Sequence, residues 1–124
     1  MYKISVQKKF SASHIIRDYP GECGRLHGHN WNVKVVVKTK ELNNFGMAID
    51  FKELAKILNE IVDKLDHYHL NDIPPFNKIQ PTAENLAKFF YDELKEKLGK
   101  YDDNLEIDLV EIWETDKYTA IYQE

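Results

Sequence analysis

The chain has 124 residues, of which 43% are hydrophobic and 31% are charged, and its formal net charge is −4. This length and balance predict one globular domain over residues 1–124. The acidic balance argues against a nucleic-acid-binding protein, which normally carries a basic patch. No apolar run reaches the roughly 20 residues that a membrane helix needs, and the first residues lack the apolar core of a signal peptide. The single cysteine excludes an internal disulfide and fits a reducing compartment, so we expect a cytoplasmic protein.

Two strands are predicted at the start of the chain. Residues 2–14 alternate between polar and apolar, with Phe10, Ala12 and His14 on one face, which is the pattern of a half-buried strand. A loop rich in glycine and proline follows. Residues 29–39 then alternate in the same way and are rich in valine, so they form the second strand.

Two helices are predicted next. Asp50 and Glu53 occupy the N-cap and N3 positions of a capping box, and the helical spacing of apolar residues behind them predicts a helix that ends near Asp66. The stretch after this helix contains three prolines and must be a loop. Thr82 then caps a second helix, which we expect Gly99 to close.

Two final strands, residues 105–114 and 117–123, complete the order ββααββ. Two hairpins and two helices predict an α+β fold, in which a four-stranded antiparallel sheet carries both helices on one face. Such a sheet leaves two open edges, which proteins usually cover. We therefore expect a homo-oligomer.

Three of the five histidines form a candidate metal site. His27 and His29 are two residues apart, so in an extended segment their rings leave one face with Cα atoms roughly 6.5 Å apart. His14 ends the first strand on its apolar face, and antiparallel pairing would bring it to the same end of the sheet. Three imidazoles with one open position are typical of catalytic zinc. The alternative is a chance His-x-His pair whose rings are only hydrogen-bonded.

Cys23 lies four residues before the first histidine of this pair, and three interpretations are open for it. The thiol could complete a closed structural zinc site, it could be an inert core residue, or it could be a thiolate that serves as base or nucleophile. Gly24 and Arg25 indicate a polar loop, so burial in the core is the least favoured of the three.

Two further positions carry candidate acid–base groups. Asp66 directly precedes His67 and could orient its imidazole, although a histidine at a helix end is also explained by the helix dipole. Glu114 ends the third strand, where a carboxylate is usually solvated but could also accept a planar pair of N–H donors. We assign no role to His69.

Six motifs, in chain order, together resemble the 6-pyruvoyltetrahydropterin synthase family. The Cys-x-x-x-His-Gly-His spacing is more similar to the bacterial and archaeal branch, 6-carboxytetrahydropterin synthase, than to the animal enzyme. The motifs cover essentially the whole chain and are Phe-x-Ala-x-His (10–14), Cys-Gly-Arg-Leu-His-Gly-His-Asn (23–30), Leu-Asp-His (65–67), Leu-Asn-Asp-Ile-Pro (70–74), Pro-Thr-Ala-Glu-Asn-Leu-Ala (81–87) and Trp-Glu-Thr (113–115).

This resemblance implies a tunnelling fold, in which three chains close a β-barrel and two trimers stack into a hexamer. It implies that His14, His27 and His29 bind zinc, which would hold the side-chain hydroxyls of 7,8-dihydroneopterin triphosphate. The products in the carboxy branch are 6-carboxytetrahydropterin, acetaldehyde and triphosphate, on the way to queuosine and other 7-deazapurines.

The resemblance also implies roles for the remaining site residues. Cys23 would transfer protons, with Asp66 and His67 as its partner dyad across a subunit interface. Glu114 would bind the amino and ring N–H groups of the pterin, and Thr82 is the second expected substrate-binding residue. Three alternatives stay open: the 6-pyruvoyl synthase proper, a zinc hydrolase, and a metal-binding hexamer without activity.

Overall fold

The computed structural model describes all residues from 1 to 124. Five strands and two helices make up the chain, together with two short 3₁₀ turns at Glu22–Gly24 and Leu70–Asp72. The elements are β1 (Tyr2–His14), β2 (His27–Thr39), α1 (Phe51–Val62), β3 (Tyr68–His69), α2 (Ala83–Tyr101), β4 (Glu106–Trp113) and β5 (Thr119–Tyr122).

The five strands form one sheet in the order β3-β1-β2-β4-β5. All neighbours are antiparallel except β3, which runs parallel to the end of β1. The α+β class is therefore confirmed, but the predicted count of four strands is one too low. β3 has only two residues, Tyr68 and His69, which pair with Ala12 and Ser13. Two residues cannot display an alternating pattern, so a loop was the natural expectation for this segment.

The core lies between the sheet and the two helices. Trp31 and the odd-numbered valines of β2 are fully buried, as the alternation in that strand predicts. Both helices contribute apolar side chains to this layer: Leu54, Leu58, Ile61 and Val62 from α1, and Leu86, Phe90, Leu94 and Leu98 from α2. Neither helix has the length and apolar content of a membrane-spanning segment.

The first helix begins where the sequence indicates and ends earlier. Asp50 is its N-cap, and the Asp50 carboxylate accepts from the Lys52 N–H at 2.8 Å. The Asp50 bond goes to the N2 position rather than to Glu53 at N3, and no side-chain bond returns from Glu53, so Asp50 acts as a simple N-cap and the predicted capping box does not form. The last helical residue is Val62, four positions before the expected end at Asp66. The intervening residues form turns that bring the chain back to β1.

The second helix is longer than the sequence predicts. Thr82 caps it as expected, because the Thr82 hydroxyl accepts from the Asn85 N–H at 3.2 Å. The helix then continues through Gly99 to Tyr101, so the expectation that glycine closes it is wrong. Leu98 is only 1% exposed, and packing of this side chain in the core keeps the last turn helical through the glycine.

Candidate metal centre and its surroundings

The pairing of β1 with β2 places three histidines at one end of the sheet. His14 lies opposite His27 in the register, and His29 lies opposite Ala12. The nitrogen atoms that could bind a metal all fall within 4.8 Å of one another. The ring of Trp31, which is fully buried, packs 5.1 Å from the His14 ring and 5.2 Å from the His29 ring. The three predicted ligands therefore converge, with an apolar wall behind them that the sequence analysis did not assign to the site.

Backbone carbonyls fix the orientation of two of these rings. His14 Nδ1 lies 2.7 Å from the Pro81 carbonyl oxygen, and His27 Nδ1 lies 2.7 Å from the Arg25 carbonyl oxygen. Because a carbonyl oxygen only accepts, each Nδ1 carries the hydrogen and each Nε2 keeps a free lone pair. This is the arrangement by which proteins present histidine to a metal ion.

Two ring nitrogens in the cluster are buried without any hydrogen-bond partner: His14 Nε2 and His29 Nε2. An unpartnered buried polar atom costs about 1–3 kcal/mol, so native structures rarely leave two together. A metal ion bound by both would satisfy them. The donor set thus fits a divalent metal that accepts imidazole ligands.

Burial favours the neutral form of His14 and His29. Burial, helped by the charges of the neighbouring histidines, lowers the pKa of His14 to about 4, although the hydrogen bond to Pro81 acts in the opposite direction. Burial also lowers the pKa of His29, while the carboxylate of Glu114 opposes that shift. A metal ion binds the neutral imidazole, so this site does not have to release a proton from His14 near neutral pH.

Glu114 is the closest carboxylate to the histidine cluster. Glu114 Oε1 lies 3.3 Å from His29 Nε2, but the two atoms are not aligned as a hydrogen bond. The turn between β4 and β5 fixes the backbone here, since the Glu114 N–H donates to the Tyr118 carbonyl at 3.0 Å. The candidate substrate-binding carboxylate therefore lies beside His29, one of the candidate metal ligands.

Asp66 and His67 are in direct contact after the early end of α1. His67 Nδ1 lies 2.9 Å from Asp66 Oδ1, which also accepts from the Ser11 N–H at 2.9 Å. The bond from Ser11, with a further contribution from His67, holds the pKa of Asp66 below its usual value. Because α1 ends at Val62, the alternative explanation through a helix dipole loses its basis.

His67 has an unusual backbone conformation. Its φ angle is 66°, in the left-handed region that side chains other than glycine rarely adopt, and its N–H donates to the Ser11 carbonyl at 2.6 Å. This geometry turns the imidazole outward, leaving the side chain 81% exposed. Strain of this kind is often found at functional sites.

Cys23 lies in the first 3₁₀ turn with its thiol exposed, so the interpretation as an inert core residue is excluded. The thiol is not among the donor atoms that cluster with the histidines, and it makes no hydrogen bond to Asp66 or His67 within the chain. Gly24 is required next to it, because an added Cβ would lie 2.0 Å from the Tyr19 carbonyl oxygen.

An open depression of about 410 Å³ adjoins this region. Ser13, His29, His67 and His69 are among the residues that line it. The Ser13 hydroxyl lies 2.9 Å from His69 Nδ1, a pair that no pattern in the sequence indicated because the two residues are 56 positions apart. Thr82, the other expected substrate-binding residue, does not line this depression.

Comparisons with known proteins agree with this geometry. The family model described as 6-pyruvoyl tetrahydropterin synthase matches residues 3–124. A relative from Archaeoglobus fulgidus, provisionally named a 6-carboxy-5,6,7,8-tetrahydropterin synthase, is 41% identical over 95 residues, which are 76% of each chain. The 6-pyruvoyl tetrahydrobiopterin synthase of Dictyostelium discoideum is 36% identical over 105 residues, covering 83% of this chain and 74% of the relative.

A solved structure extends the similarity to the fold. The 6-pyruvoyl tetrahydropterin synthase of Caenorhabditis elegans superposes with a TM-score of 0.87 at 26% identity, covering 99% of this chain and 95% of the other. The relatives are named as tetrahydropterin synthases, which are lyases. The chain belongs to the 6-pyruvoyl tetrahydropterin synthase family.

Proposed function

We propose that this protein is a zinc-dependent 6-carboxytetrahydropterin synthase. Its substrate would be 7,8-dihydroneopterin triphosphate, and its products would be 6-carboxytetrahydropterin, acetaldehyde and triphosphate, for the synthesis of queuosine and other 7-deazapurines. The observation that carries this proposal is the cluster of three imidazoles with two unpartnered Nε2 atoms in a member of this family. The Cys-x-x-x-His-Gly-His motif and the relative at 41% identity support the carboxy branch.

His14, His27 and His29 are the residues that would hold the zinc ion. When bound there, zinc would act as a Lewis acid on a substrate hydroxyl and make the adjacent C–H bond more acidic. Three histidine ligands would leave a position on the metal open for that hydroxyl. The Trp31 ring keeps water away from the inner side of the ligands.

Glu114 would orient the pterin. A carboxylate can accept two parallel N–H bonds from the amino group and the ring nitrogen, which fixes both the position and the plane of the ring. The contact of this carboxylate with His29 supports a short distance between the pterin ring and the metal. Thr82 would contact substrate from the start of α2, since it follows Pro81, whose carbonyl binds His14.

Cys23 and the Asp66–His67 pair would move protons on opposite sides of the substrate. Within one chain they make no contact, and both the thiol and the imidazole are exposed. We therefore propose that Cys23 of one subunit and His67 of another complete each site. The open edges of the sheet at β3 and β5 support such an assembly, a hexamer built as a dimer of trimers.

One observation favours an alternative, the 6-pyruvoyl synthase: the Dictyostelium relative, which is 36% identical, carries that name. Both reactions would use the same metal and the same pterin contact. They differ in the fate of the side chain, since only the carboxy reaction releases acetaldehyde.

The test is incubation of the zinc-loaded protein with 7,8-dihydroneopterin triphosphate, followed by identification of the pterin and assay of acetaldehyde. We expect 6-carboxytetrahydropterin and acetaldehyde in equal amounts, and neither from His27→Ala. A pyruvoyl product without acetaldehyde would assign the protein to the other branch. Loss of phosphate alone, unaffected by Cys23→Ala, would instead identify a zinc hydrolase.

A further inference from the structure

We propose that Arg17 and Gln80 are positioning residues for the metal centre, which they act on through the Pro81 carbonyl and His14. This inference rests on the proposed role of His14 as a metal ligand. We call the two side chains, with the backbone segment 76–81 that they bind, the Arg17–Gln80 clamp.

The segment after β1 is held by two side-chain amides. β1 ends at His14, and beyond it two side-chain amides take the place of a neighbouring strand. Asn71 accepts from the Ile15 N–H at 2.9 Å and donates to the Ile15 carbonyl at 2.9 Å. Gln80 repeats this pattern on Arg17, with bonds of 2.9 and 2.8 Å. Each amide satisfies both backbone groups of one residue, so the loop is joined to the end of β1 at two points.

The Arg17 guanidinium makes no ion pair and instead binds backbone carbonyls. It donates to the Ile79 carbonyl at 3.1 Å and to the Phe76 carbonyl at 2.5 Å. Phe76 is fully buried, so this end of the segment is fixed in the core. An arginine whose guanidinium donates to two carbonyls of one loop holds that part of the loop in place.

The clamp is connected to the proposed metal ligand His14 through Pro81. The Gln80 carbonyl accepts from the Asn85 side chain at 2.8 Å, which ties this residue to the first turn of α2. Pro81 is thereby held between the clamp and the helix, and its ring fixes φ. The Pro81 carbonyl then accepts from His14 Nδ1 at 2.7 Å.

The His27 and His14 rings differ in how far away in the sequence their carbonyl partners lie, and this difference is the reason that His14 needs a clamp. His27 bonds to the carbonyl of Arg25, two residues away, so local chain geometry suffices. His14 bonds to a carbonyl 67 positions away in the sequence, in a loop with no regular structure of its own. Without the clamp this carbonyl would move, and the His14 ring would lose the bond that keeps the hydrogen on Nδ1 and the lone pair on Nε2.

The experiment measures zinc affinity by competition with a chelator in the full-length protein carrying Gln80→Met, which keeps the side-chain length but removes both bonds to Arg17. Loss of a hydrogen-bond partner behind a metal ligand typically weakens binding by 10–100-fold, so we expect a loss of about 10-fold or more. In the metal-free protein, ¹⁵N NMR of the imidazoles should show one His14 tautomer in wild type and a mixture in Gln80→Met.

Asn43→Ala is the matched control. Asn43 also makes two side-chain bonds to backbone, accepting from the N–H groups of Phe45 and Met47 at 2.9 and 3.1 Å, but in a loop unconnected to His14. We expect Asn43→Ala to lower stability without changing zinc affinity or the His14 tautomer. If Gln80→Met is poorly folded, Gln80→Glu takes its place: it keeps the acceptor for the Arg17 N–H, loses the donor to the Arg17 carbonyl, and should bind zinc more weakly than wild type.

Two outcomes would overturn the inference, and they differ from failure of the proposed function. Zinc binding by Gln80→Met equal to wild type, or an unchanged His14 tautomer, would show that the clamp does not position the ligand. Absence of zinc binding in wild type itself would reject the metal role of the histidines. The NMR measurement on metal-free protein would still decide whether the clamp controls His14.

Discussion

At the scale of single residues, the metal centre is marked by polar atoms that the fold leaves without partners. His14 is 1% exposed, yet its Nε2 has no hydrogen bond, while Nδ1 is firmly bound to Pro81. A buried nitrogen without a hydrogen-bond partner lowers the stability of the metal-free protein. A bound metal ion would give that nitrogen a partner and remove the cost. His29 Nε2, beside Glu114, is likewise buried without a hydrogen-bond partner.

Zinc should therefore stabilise the fold measurably. Free zinc at about 100 times its dissociation constant adds about 2.7 kcal/mol to the free energy of unfolding, which corresponds to a rise of about 10 °C in Tm for a chain of this size. Calorimetry with zinc and with a chelator checks this expectation. His27→Ala is the control, and its Tm should be nearly the same under both conditions. Equal melting of the wild type with and without zinc would contradict the role of the cluster.

Glu114 should contribute to pterin affinity and little to metal affinity. Hydrogen bonds to a charged group contribute about 1.5–3 kcal/mol, so we expect Glu114→Ala to bind a pterin about 10–100-fold more weakly. Glu114→Gln should recover part of this loss, because its amide oxygen still accepts one N–H bond. Fluorescence titration with a pterin measures the affinity, while chelator competition should give an unchanged zinc constant. Equal pterin binding by wild type and Glu114→Ala would reject the assignment.

At the scale of elements, the sequence predicts the strands and helices in which a periodic pattern repeats many times. It misses the elements that depend on tertiary contacts. The alternation in residues 2–14 and 29–39 locates β1 and β2, and their register brings the three histidines together. The short strand at Tyr68–His69 and the extension of α2 past Gly99 to Tyr101 carry no pattern of their own. They form because β1 offers free backbone groups and because Leu98 is buried in the core.

The same limit applies to the site. Spacing and parity indicate the ligands, but the carbonyl that orients His14 comes from Pro81, 67 positions away. No local pattern connects the two residues. The contact between Ser13 and His69 is equally distant in sequence. Contacts of this kind are set by how the loop before α2 packs against the end of β1.

Asp66 joins the turn after α1 to β1, and its charge should make stability depend on pH. Bonds from Ser11 and His67 lower the folded-state pKa below the usual value of 3.8. A lowered pKa means that the stabilisation is complete above the unfolded-state value and is lost as pH falls through the folded-state value. Metal-free wild type should therefore exceed Asp66→Asn in free energy of unfolding at pH 6, and the difference should shrink below pH of about 4. Urea denaturation at several pH values measures this difference, and a gap that persists in acid would contradict the assignment.

At the scale of the whole molecule, the sheet is covered by helices on one face and open at both edges. The strand order β3-β1-β2-β4-β5 leaves β3 and β5 without outer neighbours. The depression beside His29 opens to the surface, and the thiol of Cys23 faces solvent. A site with exposed acid–base groups does not exclude water, whereas closing an active site expels water and strengthens the electrostatic interactions inside it. Association of subunits would provide that exclusion.

If active sites are shared between subunits, two inactive variants should restore each other's activity when they assemble together. Cys23→Ala should bind zinc and lack turnover, and His67→Ala should do the same. If each site takes Cys23 from one subunit and His67 from another, random reassembly of an equal mixture leaves about a quarter of the sites intact, and activity should return to that fraction of wild type. The variants are mixed, dissociated and reassembled, with each variant alone as control. A mixture as inactive as its components would mean that both residues act within one chain, and the open edges would then need another explanation.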